Sequence, residues 1–257
     1  MRRRPIVSAV LASIVALLSP ADAPAKTGFS GWAAVVVAGD DQAAHENTPT
    51  EAFDNARRDV TKAFIARGFT PSNIVQFSLH PERYPADHAD RASLERVWDR
   101  LSRLAPAAPD GCLVYITSHG SPDGVVMGDR LVPPTILAGL VYRACGARPT
   151  AVIVSACFSG VFVPALAAVS PRMFVMTAAR RDRSSFGCGE SDRYPFFDGC
   201  LIEDLPAARD FPDLADRVRR CVAGREDALG LRPRSHPQTR TSPGFAAVVP
   251  PFETALH

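Results

Sequence analysis

A chain of 257 residues is long enough for one large domain or two small ones, with a sizeable buried core in either case. Its 46% hydrophobic and 22% charged residues exclude wholesale disorder. The formal charge of +2 resides wholly in the first 25 residues, where Arg2, Arg3 and Arg4 outweigh Asp22. The rest of the chain is neutral and offers no basic stripe for nucleic acid.

In chain order, the first element is a targeting segment. MRRR is a basic start, IVSAVLASIVALL is an apolar stretch too short to span a membrane comfortably, and Ala23-Pro24-Ala25 is a cleavage pattern before Lys26. Residues 1–25 are thus predicted to be a signal peptide for ordinary secretion, with an uncleaved N-terminal anchor as the alternative. No later stretch reaches the ~18 apolar residues a membrane helix needs. Residues 26–257 are predicted to form a single domain.

Within that domain, short apolar runs alternate with helix-like segments. GWAAVVVAG (31–39), NIVQFSL (73–79), CLVYITS (112–118), AVIVSA (151–156) and RMFVMTA (172–178) read as buried strands. Residues 50–68 place Phe53, Ala56, Val60, Phe64 and Ile65 at helical spacing, with Gly68 as the stop. Residues 92–104 repeat the pattern through Leu94, Val97, Trp98, Leu101 and Leu104, and 133–146 begin with prolines and stop at a glycine. FPDLADRVRRCVAG (211–224) is a further helix, ended by Gly224. The segment 232–243, rich in Pro, Arg, Ser and Thr, reads as a loop before a last apolar run, GFAAVV. Strands alternating with helices imply a mainly parallel sheet with right-handed crossovers, an α/β sandwich.

All six cysteines (Cys112, Cys145, Cys157, Cys188, Cys200, Cys221) follow the targeting segment, and an oxidising compartment permits disulfides. Three bridges with no free thiol is one reading. If Cys157 stays free, at most two bridges form, and Cys188 with Cys200, which flank a short loop, is the first expectation. No zinc-like Cys/His spacing is present.

Ligands of such sheets bind beyond the carboxyl ends of the strands. Past the third run come Ser118-His119-Gly120, and past the fourth Ala156-Cys157-Phe158-Ser159-Gly160. Two adjacent strands, with one crossover between, would deliver a His and a Cys 38 residues apart to one edge. An imidazole beside a thiol favours the thiolate nucleophile, and a helix starting near Ser159 would favour it further. The N–H groups of Gly120 and Cys157 are candidates for an oxyanion hole. His80, followed by Pro81, is the rival imidazole. His45, His88, His236 and His257 read as solvated.

These segments resemble a known family. TSHGSPDG resembles the His-Gly segment of the caspase-like clan, and VSACFSG the Ala-Cys-x-Ser-Gly segment of the legumain-like (asparaginyl endopeptidase) family. VVVAGDD resembles the family's first strand and turn, and MTAARRDRSSFGC its Thr-Ala-Ala … Ser-Ser-x-x-Cys segment. The four occur in the family's order over most of residues 31–205, closest to bacterial exported members. The resemblance implies a caspase-like three-layer α/β/α sandwich and hydrolysis of peptide or protein substrates through an acyl-enzyme, without metal or organic cofactor. It implies His119 as base or proton carrier, Cys157 as nucleophile, Gly120 and Cys157 as oxyanion donors, and Ser184 and Ser185 as pocket serines. Asp198 is the nearest option for the acidic pocket residue, and Asp40, Asn47 and Asn55 are options for orienting the imidazole.

Two departures bear on substrate choice. The Arg-His pair of eukaryotic legumains has no counterpart near Thr50 to Asn55, and Ser118 stands where the family has Asp before His-Gly. Asparagine specificity is therefore not implied, and a long C-terminal prodomain is not expected. The basic loop Arg180 to Arg193 reads as a solvated loop, with self-cleavage as its alternative. Transamidation by the same dyad and a silent exported binding module are the competing readings of function.

Overall fold

A computed structural model of the protein describes residues 28–44 and 48–253. The predicted signal peptide, the option Asn47, and His45 and His257 lie outside the described residues. In chain order the elements are β1 (Trp32–Ala38), α1 (Ala52–Ile65), β2 (Ile74–Ser78), β3 (Asp90–Arg91), α2 (Leu94–Ala107) and β4 (Gly111–Thr117). There follow β5 (Gly120–Ser121), β6 (Gly124–Met127), β7 (Arg130–Val132), α3 (Pro134–Cys145), β8 (Thr150–Ser155) and α4 (Phe162–Val169). The chain then forms β9 (Met173–Thr177), α5 (Phe196–Asp204), α6 (Phe211–Ala228), β10 (Gln238–Thr241) and α7 (Pro243–Ala246).

The five apolar runs become the five inner strands of a seven-stranded sheet ordered β10-β9-β8-β4-β1-β2-β3. Its pairs are parallel except β10 with β9. Strands buried on both faces read as unbroken apolar runs, and the two sides of β1 show why. Ala33, Val35 and Val37 face a core shared with Val97, Leu101, Leu137, Val141 and Leu166 of α2, α3 and α4. Ala34 and Val36 face the opposite core, with Val60, Phe64, Phe197, Phe211, Leu214 and Val218 of α1, α5 and α6. The architecture is the expected three-layer α/β/α sandwich.

Four expectations change. The segment 232–243 is not wholly loop: Gln238–Thr241 forms the antiparallel edge strand β10, whose polar residues carry no apolar alternation and are held by the ladder to β9. The fourth predicted helix does not stop at Gly224 but runs as α6 to Ala228, since the packing of Leu214, Val218 and Val222 outweighs the modest helix penalty of one glycine. Ile65 is at the surface, whereas Arg57 on α1 is fully buried, bonded to Asp54, Gln76 and Asp87. Finally, Cys188 does not pair with Cys200. Cys200 on α5 faces α6 and bridges to Cys221 with their Cα atoms 5.7 Å apart, Cys112 bridges to Cys145, and Cys157 and Cys188 are free.

Candidate active site

The parallel ladder between β4 and β8 ends at the pair Thr117 and Ser155. One further bond, Ser118 N–H to the Ser155 carbonyl at 3.0 Å, extends it. His119 lies two residues past Thr117 and Cys157 two residues past Ser155, so the register itself sets both side by side at the sheet's edge. His80, in contrast, follows β2, which is separated from β8 by β1 and β4. Both its ring nitrogens are taken by carboxylates, Nε2 by Asp41 at 2.7 Å and Nδ1 by Glu82 at 3.0 Å. The rival imidazole is thus engaged elsewhere.

The chain holds His119 from three sides. Its backbone carbonyl accepts from Val126 N–H at 2.9 Å, which ties it to the small antiparallel sheet β5-β6-β7. The edge of its ring contact is with Phe53, centroids 5.1 Å apart and planes at 82°. Its Nε2 lies 2.8 Å from the backbone carbonyl of Gln42. A carbonyl only accepts, so Nε2 carries the proton, and in the neutral ring Nδ1 is left as the base. Of the options for orienting this ring, Asn47 lies outside the described residues, and neither Asp40 nor Asn55 is seen to do so. Asp40 Oδ1 accepts from the N–H groups of Asp41 and Gln42, shaping the turn that presents the Gln42 carbonyl, and no hydrogen bond joins Asn55 to His119 among the described residues. The orienting group is a backbone atom, and sequence carries no residue-type signal for it.

Cys157 sits at a sharp turn. Phe158, the next residue, is left-handed at φ 57°, a conformation that raises a non-glycine residue by about 1–3 kcal/mol. It is retained by its N–H bond to the Arg183 carbonyl at 2.8 Å, and Gly160 N–H bonds the Ala179 carbonyl at 2.8 Å. A short turn at Ser159–Val161 then enters α4, as the predicted helix start required. The segment after β9 closes over the sulfur: Ser185 N–H points at Cys157 Sγ from 3.2 Å, with Ser185 Oγ at 3.5 Å. Ser185 therefore contacts the Cys157 sulfur itself, while Ser184 is exposed beside it.

Two loops carry these contacts, and they are stapled together. Ala44 N–H bonds the Cys188 carbonyl at 3.0 Å, and Thr50 Oγ1 donates to the Gly189 carbonyl at 3.0 Å. The loop that orients His119 and the loop that cradles Cys157 are thus one unit. Cys188 lies within it, its thiol pushed up to about 12 by burial and secondarily by the neighbouring Cys157.

Gly120 packs against the Cys157 backbone, where a Cβ would collide with the Cys157 carbonyl. The β5–β6 ladder bonds flank the Gly120–Val125 pair, so that pairing does not consume the Gly120 N–H. Ser118, at the family's Asp position, is buried and donates to the Val126 carbonyl at 2.8 Å. Asp198 is 0% exposed, and its oxygens accept from Tyr115 and Thr117, so it lies beneath the site.

Comparison with known proteins agrees in class. The structure is similar to a crystal structure of caspase-1 from Spodoptera frugiperda, with TM-score 0.61 and 15% identity over 84% of this chain and 88% of that one. It is similar also to pro-sf-caspase-1, with TM-score 0.59 and 13% identity over 87% and 97%. At such identities the likeness shows the fold alone, a caspase-like one. The family model of the Peptidase C13 family, the legumain family, matches residues 96–205, which include His119, Cys157, Ser184 and Ser185. The fold is thus caspase-like, and residues 96–205 are similar to the legumain family. No curated protein matches the chain.

Proposed function

We propose that the protein is an exported cysteine endopeptidase. The observation that carries this reading is the equal offset of His119 and Cys157 past the paired residues Thr117 and Ser155. The Peptidase C13 match and the cysteine peptidase-type fold support it. Cys157 Sγ attacks the scissile carbonyl while its proton passes to His119 Nδ1, the nitrogen not bonded to Gln42. The N–H groups of Gly120 and Cys157 receive the oxyanion. His119 then protonates the leaving amine, and water hydrolyses the thioester with the same nitrogen as base. Export rests on the basic and apolar N-terminal residues and on the two disulfides.

The test is cleavage by residues 26–257 of peptides varied at P1, from pH 4 to 8, beside Cys157→Ala. Cleavage that vanishes in the variant supports the reading. Absence of cleavage with Cys157 shown to be reduced overturns the reading in favour of a zymogen, a transamidase needing an amine acceptor, or a binding module.

A further inference from the structure

Asp198 sits in the first turn of α5, directly beneath the ends of β4 and β8. One carboxylate oxygen accepts from Tyr115 Oη and the other from Thr117 Oγ1 at 2.7 Å, both on β4. The Ser155 hydroxyl of β8 also favours the charged form of the same carboxylate. Thr117 and Ser155 are the last paired residues of the two strands. A single buried group therefore ties the final rung of the ladder to α5, two residues below His119 and Cys157. The helix is a firm base for it, anchored by Phe197 and Leu201 in the core and by the Cys200–Cys221 bridge to α6.

We propose that Asp198 is the positioning residue of the site, a buried clamp that holds the ends of β4 and β8 together so that His119 and Cys157 stay in reacting geometry. It rests on the Cys-His reading of the site and assigns Asp198 no contact with substrate. A carboxylate has acceptor positions for all three hydroxyls at once. A protonated carboxyl has to place its own hydrogen on one of those oxygens, and the clamp loosens.

The neighbouring groups leave this carboxyl to titrate near neutrality. Burial pushes it up to about 7, against the pull of the Tyr115, Thr117 and Ser155 hydroxyls. From α6, Arg225 lies over Gly199 but is paired with Glu203. From α1, Asp59 is taken by Lys62 and Tyr194. Tyr115 and Cys188 are themselves driven up, both first by burial. The clamp is then strongest above about pH 7.

The decisive experiment follows alkylation of Cys157 by iodoacetamide from pH 5 to 9 by peptide mass mapping, a readout independent of turnover. Residues 26–257, Asp198→Asn and Thr117→Val are compared, with kcat and KM on peptides varied at P1. Asp198→Asn is expected to slow alkylation at pH 8 about tenfold, to remove the inflection near pH 7, and to lower kcat with KM and the P1 ranking unchanged. Thr117→Val, which keeps the fold if Asp198→Asn does not, is expected to slow alkylation by a smaller factor. An altered P1 ranking with unaltered alkylation overturns the proposal and returns Asp198 to the substrate pocket. Alkylation rates and pH profiles equal to wild type in the folded variants overturn it as well. If no peptide is cleaved, the peptidase reading fails, while the alkylation arm still decides the clamp.

Discussion

The carbonyl of Cys157 occupies the space that a side chain on Gly120 would need. Backbone from the turn after β4 thus rests on backbone from the turn after β8, and this contact brings a candidate oxyanion donor up to Cys157. Gly120→Ala has to push the two turns apart. A displacement of about 1 Å at a reacting centre can lower rates about 100-fold. That loss in kcat/KM, with unchanged far-UV circular dichroism, is the expected result. Activity within a few-fold of wild type would show that the turn after β4 can yield.

Orientation of His119 by a backbone carbonyl makes an uncommon mutational prediction. Gln42→Ala retains the carbonyl, and an exposed side chain contributes little to stability, about 0.5 kcal/mol or less. Activity is therefore expected to remain within about threefold of wild type. Phe53→Ala removes the ring beside the imidazole and leaves a core cavity, which destabilises by about 3–5 kcal/mol. Urea unfolding together with kcat on the folded fraction separates the lost stability from the lost orientation. Equal activity losses at both positions would point to the Gln42 side chain instead.

The cysteines make a prediction that mass spectrometry can count. Unreduced native protein is expected to expose two alkylatable thiols, Cys157 and Cys188, among its six cysteines. Cys188 reacts slowly at pH 8, because its thiol is held at about 12 and little thiolate forms. Labelling after denaturation without reductant still finds two thiols. Recovery of a Cys188–Cys200 peptide would contradict the observed pairing.

Asp198 also gives stability a pH dependence with a definite sign. Its folded carboxyl titrates near 7 against an ordinary value of 3.8, so the folded state holds the proton more tightly than the unfolded chain. Its favourable contribution is complete below about pH 4 and is lost as pH rises through about 7. The loss between pH 5 and 8 is on the order of 3 kcal/mol. Asp198→Asn does not titrate there, so its stability relative to wild type is expected to rise over that interval. Urea midpoints at both pH values read this directly, and parallel curves for the two proteins would sink it.

Ser185 is read by its contacts with the sulfur. Ser185→Ala keeps the N–H that lies 3.2 Å from Cys157 Sγ, whereas Ser185→Pro removes it. A hydrogen bond contributes about 1 kcal/mol net, or about fivefold in a rate. Alkylation of Cys157 is expected to slow by that factor in the proline variant and to change less in the alanine variant. The reverse order would assign the effect to the hydroxyl at 3.5 Å.

Much of the frame was legible because local rules wrote it. Four of the five inner strands, β1, β4, β8 and β9, are buried on both faces, so their sequences are largely apolar runs, and His119 and Cys157 follow the ends of two of them. The edge strand β10 was not legible: Gln238-Thr239-Arg240-Thr241 has no apolar period, and only its ladder to β9 makes it a strand.

By itself, then, the sequence determined the alternation of strands and helices, the two strand ends that carry the His and the Cys, and the family these segments resemble. Tertiary structure alone decided which groups serve them. The Gln42 carbonyl is a backbone acceptor that any residue there could supply. Cys200 pairs with Cys221 because α5 and α6 pack face to face, a matter of direction in space and not of spacing along the chain. Asp198 is buried because its helix lays it against Tyr115 and Thr117. Residue type and periodicity record what a segment prefers, whereas a partner is chosen only when distant segments meet.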